Sequence, residues 1–544
     1  MAQLTLRANL SAANFPLCSD FSGRSVVIPN QDQAYVTPSQ FSGADTDKDR
    51  GIPQIYYCHN VMPVGQGFKS IAYRKVITGI PTTTTKFNKV IAVRDNTENR
   101  GYVGFTSDGL TFLYQLSTNT WKNVSIPGTW VGGNVTTATA SGVTYICYEK
   151  WGIYTVDLVA GVLTSASLSG ITNANVVGMC AAANYLILHD GYTVYWSSAT
   201  NPTDFVPSLA TGASSGVPTG IGGIITAITS LGTGFAVYTT VNIVLSSYSG
   251  NTRYPWIFRE APGGAGSKDI EGITNTGDDG TNYAWTSSGL LKITAQGCNP
   301  VFPEVTDFLS GRIFEDFVDA TLSIESEYLL YDLKVKLSYA SSRYLVISYG
   351  KQSLTHALVY DIALKRWGKL RVAHVDAFEL TISSDGAGLT YANLAPKTYA
   401  QLAPTPYNEL TKLVNTAASP KRTLAFLQAD GSVQIALWDY GNYKAQAVIM
   451  LGKFQLTRSQ VVTLEEFVVE NVDLANSSNF TASVITSLDG KDQGLPLTIP
   501  PVSVIGSQTR TYRCRVTGVN HSLLFTGAFN LVSLVLAFSK HGRR

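Results

Sequence analysis

Apolar positions along this chain follow no sustained helical period. Short β-branched and aromatic runs alternate with turns rich in Gly, Asp, Asn and Ser, the pattern of strands joined by hairpins. The clearest unit is residues 183–206. Within it, 185–188 and 192–197 read as two strands joined by a tight turn at Asp190-Gly191, where Gly supplies the positive φ that a primed turn requires. The polar Asn201-Pro-Thr-Asp204 that follows has the chemistry to end the pairing.

Versions of this unit recur. Strand-like pieces at 89–94, 101–105 and 111–116, closed by Trp121, form a first unit, and 142–148 with 152–158 a second. The opening stretch is the third. Later units are 227–238 with 242–248 and 256–259, 282–286 with 289–294, 344–349 with 357–370, and 423–428 with 432–437, about 40 to 55 residues apart, the period of propeller blades. No such unit buries both its faces alone, so stacking around an axis is the architecture expected over 86–440, with some seven blades. A series of separate sandwiches is the rival.

Residues 1–85 are Pro-rich and polar, with strands at 55–58 and 69–77, and read as an extended segment lending strands to the propeller or its base. An insertion at 384–422 carries Pro396, Pro404, Pro406 and Pro420 and a short helix-like run at 407–414; such a segment either meets a partner or is a tolerated loop. After Tyr443 the period changes, and strands at 448–456, 461–469, 480–487, 510–517, 522–526 and 530–538 read as a separate antiparallel sandwich occupying 441–544. The expected fold is all-β: a β-propeller of about seven blades with a C-terminal antiparallel β-sandwich.

Composition fits this reading. The 544 residues exceed what one hydrophobic core holds. Charged residues are 14%, against about 25% in ordinary soluble domains, which suggests surfaces buried or covered by neighbours. A formal net charge of +2 gives no electrostatic case for wrapping nucleic acid. The six cysteines, Cys18, Cys58, Cys147, Cys180, Cys298 and Cys514, show no C-x-x-C spacing, which argues against zinc. The first residues, Met-Ala-Gln-Leu-Thr-Leu-Arg, lack the pattern of a secretory leader, so reduced thiols are expected. For the same reason the N-x-S/T triplets at Asn123, Asn134, Asn476, Asn479 and Asn520 read as chance.

Catalytic patterns are sparse. The six histidines, His59, His189, His356, His374, His521 and His541, form no H-E-x-x-H and no i,i+4 pair. Pro262-Gly-Gly-Ala-Gly-Ser-Lys268 departs from the P-loop spacing and lies in strand-rich surroundings, so it reads as a turn. Asp45-Thr-Asp-Lys-Asp-Arg50 lacks the Gly and terminal Glu of a calcium loop. Glu315-Asp316 and Glu465-Glu466 are adjacent pairs that a strand sends to opposite faces, unlike the paired carboxylates of a glycosidase. Trp121, Trp151, Trp196, Trp285, Trp367 and Trp438 fall in or beside the repeated strands and read mostly as core. No catalytic, cofactor-binding or metal residue is assigned, and a non-enzymatic protein is expected.

Three segments carry a resemblance. Tyr56-Tyr-Cys-His-Asn-Val-Met-Pro-Val-Gly-Gln-Gly-Phe-Lys-Ser70 resembles an early segment of phage tail-hub proteins. Val194-Tyr-Trp-Ser-Ser-Ala-Thr-Asn-Pro-Thr-Asp-Phe205 is similar to a phrase of phage propellers, and 513–530, with the Gly542-Arg-Arg544 ending, to the closing strands of the same proteins. Thr106-Ser-Asp-Gly-Leu-Thr-Phe112 resembles the Asp-box turn of sialidase-like propellers, without its spacing.

The family resembled is the tail hub or nozzle of short-tailed bacteriophages, the packaged-DNA stabilisation or tubular tail proteins. The resemblance implies a virion tail subunit made in the bacterial host cytoplasm and assembled as a homo-hexamer below the portal. Its implied partners are the tail adaptor, tail fibres or spikes, and packaged double-stranded DNA passing without sequence-specific binding. No active site or cofactor comes with it. A receptor- or carbohydrate-binding tail protein is the alternative, and a propeller glycosidase the third reading.

Overall fold

The computed structural model describes residues 3–8, 26–27, 55–64, 67–76, 87–94, 100–106, 109–115, 120–124, 133–268, 270–276, 280–309, 334–340, 343–351, 353–363, 366–382, 421–437, 447–451, 454–455, 461–471, 480–487, 497–505 and 509–540. Most of the 384–422 insertion, Asp45–Arg50, Glu315-Asp316, Trp438 and the ending after Lys540 lie outside these residues.

Five consecutive four-stranded antiparallel sheets begin at Phe87–Arg94, Val135–Ala140, Gly178–Ala182, Ile225–Leu231 and Ile273–Asn275. They are blades one to five, and in each the first strand is innermost. Blade six runs through Lys334–Ala340, Tyr344–Gly350, Leu354–Asp361 and Arg366–His374. Blade seven consists of Asp376–Ile382, Lys421–Leu427 and Val433–Leu437, and its outermost strand is Ala72–Val76, which precedes blade one in the chain. The circle is therefore closed by an N-terminal strand.

Burial explains why these sequences make these strands. The second strand of a blade has a neighbouring blade on both faces, so it reads as a continuous apolar run: Tyr185–His189, Gly234–Thr239 and Tyr344–Gly350 are buried at every position. Outer strands face solvent, as in Trp256–Glu260, where only Trp256 is buried. Between each adjacent pair of blades lies one hydrophobic cluster, and the set runs around the whole circle. Phe105 and Tyr148 join blades one and two, Leu188 and Phe205 lie in the cluster between two and three, Tyr185 and Trp256 join three and four, and Phe378 with Tyr102 links seven back to one.

The unit at 183–206 forms as a hairpin, with a wider turn than the sequence suggests. Its second strand is Val194–Trp196, and residues 190–193 form the turn. Asp190 accepts the Tyr192 and Thr193 amides at 2.9 and 2.7 Å through Oδ1 and the Tyr195 hydroxyl at 2.8 Å through Oδ2. Burial raises the Asp190 carboxyl, but these bonds and His189 outweigh it and hold it below the ordinary aspartate value. Tyr192, which heads the second strand as read from the sequence, is instead 62% exposed, because the turn lifts it off the sheet. The phrase after it is a joint between blades. Asp204 Oδ1 accepts the Ser169 hydroxyl, the Phe205 amide donates to Ser169 O, and the Phe205 ring enters the cluster between blades two and three.

The C-terminal strands do not stand apart. Blade six continues through Val61–Val64 and Gly67–Ser70 into Asn530–Lys540, Val462–Asn471, Thr509–Gly518 and Pro501–Ile505, and with Gln3–Ala8 this makes one eleven-stranded sheet. The hairpin between Val61 and Ser70 bridges them: Val61 pairs with Lys369 of blade six, and Phe68 with Leu531. A second sheet, containing Ile55–His59, Ala447–Leu451, Thr481–Ser487 and Asn520–Gly527, meets the first where Phe467 contacts Phe525 at 6.3 Å between ring centroids. A single cluster spans Leu345 and Trp367 of blade six, Phe68 of the hairpin and Phe467, Phe525 and Leu536 beyond it, so no boundary near 440 separates two cores.

The hairpin seats through close backbone approach. Ser70 Oγ donates to Phe529 O at 3.1 Å, the Phe529 amide donates to Ser70 Oγ at 3.0 Å, and Asn60 Oδ1 accepts the Arg371 amide at 3.0 Å. At Gly368 an added Cβ would stand 2.7 Å from Val61 O and 3.1 Å from Met62 Cα, so no larger residue fits without moving the hairpin. Gly368→Ala is expected to cost about 1–3 kcal/mol, read as a lower denaturant midpoint. An unchanged midpoint would mean the hairpin does not seat this closely.

Candidate functional site at the propeller axis

The innermost strands carry a chain of polar links from blade to blade. Lys89 of blade one donates to Val135 O of blade two at 2.7 Å. The Met179 amide of blade three donates to Thr136 Oγ1 of blade two at 3.0 Å, and Ser230 of blade four donates to Ala181 O at 2.7 Å. Asn275 of blade five donates to Ser230 O at 2.5 Å, and the Leu337 amide of blade six donates to Glu271 O, just ahead of blade five, at 2.9 Å. Asp376 of blade seven completes the circle, pairing with Lys336 of blade six at 3.0 Å and accepting the Val90 amide of blade one at 3.1 Å.

Charge gathers at one end of this girdle. Glu271 lies 3.7 Å from Lys336 and 3.5 Å from Lys334, while Lys336 and Asp376 are buried. Burial lowers the Lys336 amine, but Asp376 and Glu271 outweigh it and hold it above the ordinary lysine value. Burial likewise raises Glu271, and Lys336, Lys334 and Lys89 more than reverse it. His374, on the wall nearby, is pulled down to about 4 by burial and is neutral at pH 7; its Nδ1 donates to Val372 O at 2.7 Å and its Nε2 accepts from Ser348 at 2.8 Å.

Among the described residues two cavities lie on the axis. One of about 260 Å3 is lined by Lys89, Asn134, Glu271, Lys334 and His374, where the innermost strands begin. The other, about 460 Å3, is lined by Thr137, Thr139, Cys180, Ser230 and Asn275.

Of the features singled out in the sequence, Thr106, Asn134, Cys180 and His374 line the axial cavities, and most of the others are used structurally. Thr106 accepts the Leu110 amide at 2.9 Å and holds the turn between the second and third strands of blade one; Thr239 accepts the Asn242 amide in blade four at the same distance. The 262–268 stretch is a packed turn, with the Ser267 amide donating to Thr239 O and Gly266 O accepting the Ser287 amide. Trp121, Trp196 and Trp367 are buried, whereas Trp151 is 36% exposed at a turn of blade two. A β-bulge between Leu464 and Glu466 breaks the alternation expected of Glu465 and Glu466, and each meets an arginine, Arg515 at 3.4 Å and Arg513 at 3.2 Å. Among the described residues no group of three His, Cys, Asp or Glu is placed to hold a metal ion. Cys147, Cys180, Cys298 and Cys514 are unbridged, and burial pushes Cys147 up to about 12.

No family model and no curated protein matches the chain. Among solved structures it is similar to the WD40 β-propeller domain of Doa1, at 11% identity and a TM-score of 0.38, over 69% of this chain and 100% of that one. It is also similar to YCF48 bound to D1 peptide, at 8% identity and a TM-score of 0.35, over 68% of this chain and 95% of that one. Likeness at this level says nothing about function; the propeller rests on its own sheets and clusters.

The axial charges were not singled out in the sequence. Their signal is slight: Lys334-x-Lys336 and Asp376 stand at or near the starts of otherwise apolar strands. Their energetic weight is testable. Asp376→Ala removes the close partner of a buried lysine and the acceptor of Val90, an expected cost of about 3–5 kcal/mol by urea unfolding. Lys336→Met should cost clearly less, because Asp376 keeps the Val90 and Ala377 amides. Equal costs would contradict this account of the girdle.

Proposed function

We propose that the chain is a structural, non-enzymatic subunit of a short bacteriophage tail, the hub or nozzle that continues the DNA channel below portal and adaptor. The observation that carries this reading is the eleven-stranded sheet running from the propeller axis to the C-terminal strands. A subunit that retains packaged DNA needs such a rigid path between the surfaces meeting its neighbours. Support comes also from the three phrases that resemble tail-hub proteins. One forms the bridging hairpin, one the joint between blades two and three, and the third includes the strand Asn520–Gly527 and ends at Phe529 and Asn530, where the hairpin seats.

The DNA path in this reading lies outside the propeller. The axial cavities of about 260 and 460 Å3 are crossed by the polar girdle, and a duplex with a major groove alone about 12 Å wide does not enter them. The channel belongs to the axis of a ring of subunits, a homo-hexamer with adaptor and fibres or spikes as neighbours. A net charge of +2 suits a conduit, because every neutralised phosphate strengthens a hold that ejection must break.

A second reading, a receptor- or carbohydrate-binding tail protein, is favoured by the hydroxyl- and amide-rich wall of the axial cavity. Native mass measurement with particle imaging separates the two. A closed six-fold ring with a central channel is expected, and a monomer or trimer that binds glycan would overturn the ring reading.

A further inference from the structure

Lys89 is left under-compensated by the girdle. Glu271 and Asp376 are engaged with Lys336, and among the described residues the Lys89 amine meets Val135 O and no carboxylate. Its side chain is half-buried, and it lines both axial cavities, which share Lys89, Val135 and Ile270. Burial pulls the amine below the ordinary lysine value and Lys336 pushes the same way, while Asp376 and Glu271 offset this only in part. A half-buried cation with one neutral acceptor lacks what charges withdrawn from water normally have, an opposite charge in contact.

The cavity walls suit the missing counter-charge. On one side stand Lys334, Asn88, Asn134 and Ser353 together with Glu271, whose carboxylate is held by Lys334 and Lys336, so that Lys89, Lys334 and Lys336 exceed Glu271 and Asp376 by one positive charge; on the other stand Thr137, Thr139 and Asn275. The volumes lie around the lower end of small-molecule pockets, about 300 Å3. We propose that the propeller axis binds a small polyhydroxylated oxyanion, a sugar carboxylate or sugar phosphate. Lys89 supplies the charge and the strand-borne hydroxyls and amides supply hydrogen bonds. Binding here is independent of the ring reading, since its loss leaves the assembled mass unchanged.

The test is calorimetric titration of the full chain with glucuronate, with glucose 6-phosphate and with neutral glucose, on wild type, Lys89→Gln and Lys89→Arg. Saturable binding of at least one acidic sugar is expected, about tenfold tighter than glucose, lost by about tenfold in Lys89→Gln and partly kept in Lys89→Arg. Whichever acidic sugar binds more tightly identifies carboxylate or phosphate as the preferred anion. Should Lys89→Gln fail to fold, the wild-type chain still decides, because the bound sugar must slow acetylation of Lys89 in peptide mapping. No saturation by either acid at roughly 10 mM, equal affinity in Lys89→Gln, or no protection of Lys89 would overturn the proposal.

Discussion

The pairing of the Val61–Ser70 hairpin on both its edges is the constraint on which the rest of the molecule depends. One edge pairs with the outer strand of blade six and the other with Asn530–Lys540. Directly after it, Ala72–Val76 becomes the outer strand of blade seven. A short stretch near the N-terminus thus closes the propeller and ties it to the C-terminal strands. Both jobs depend on contacts made hundreds of residues apart, which are costly in chain entropy until they form together.

At the axis, polar groups do what apolar clusters do further out. Seven hydrophobic clusters hold the blades face to face, and a thin girdle of hydrogen bonds and ion pairs fixes the innermost strands against one another. Burying Lys336 and Asp376 is tolerable because they are paired and Asp376 also accepts two backbone amides. The arrangement consumes both carboxylates and leaves Lys89 facing the cavities, so structural closure and a candidate ligand site arise from one group of residues.

What the sequence made legible follows from burial. The second strands of the blades, covered on both faces, appear as apolar runs and allow the units to be counted. Innermost strands such as Val135–Ala140 and Gly178–Ala182 are short and rich in Thr, Ala or Gly, because one face looks onto a polar axis, and they escape notice. In blades four and six two strands merged into one run, 227–238 and 357–370, across turns with weak signals. That Ala72–Val76 belongs to blade seven has no local signature, since its partner lies more than three hundred positions away. The same holds for Lys336 and Asp376, whose meaning depends on a neighbour supplied by another blade.

Native-state hydrogen exchange tests most directly whether the hairpin makes propeller and C-terminal strands one body. Buried amides in Val61–Ser70, in Tyr344–Gly350 and in Asn530–Lys540 should exchange through the same global opening and respond together to denaturant. Early, independent exchange of the hairpin, with blade six and the C-terminal strands opening at different free energies, would contradict the account.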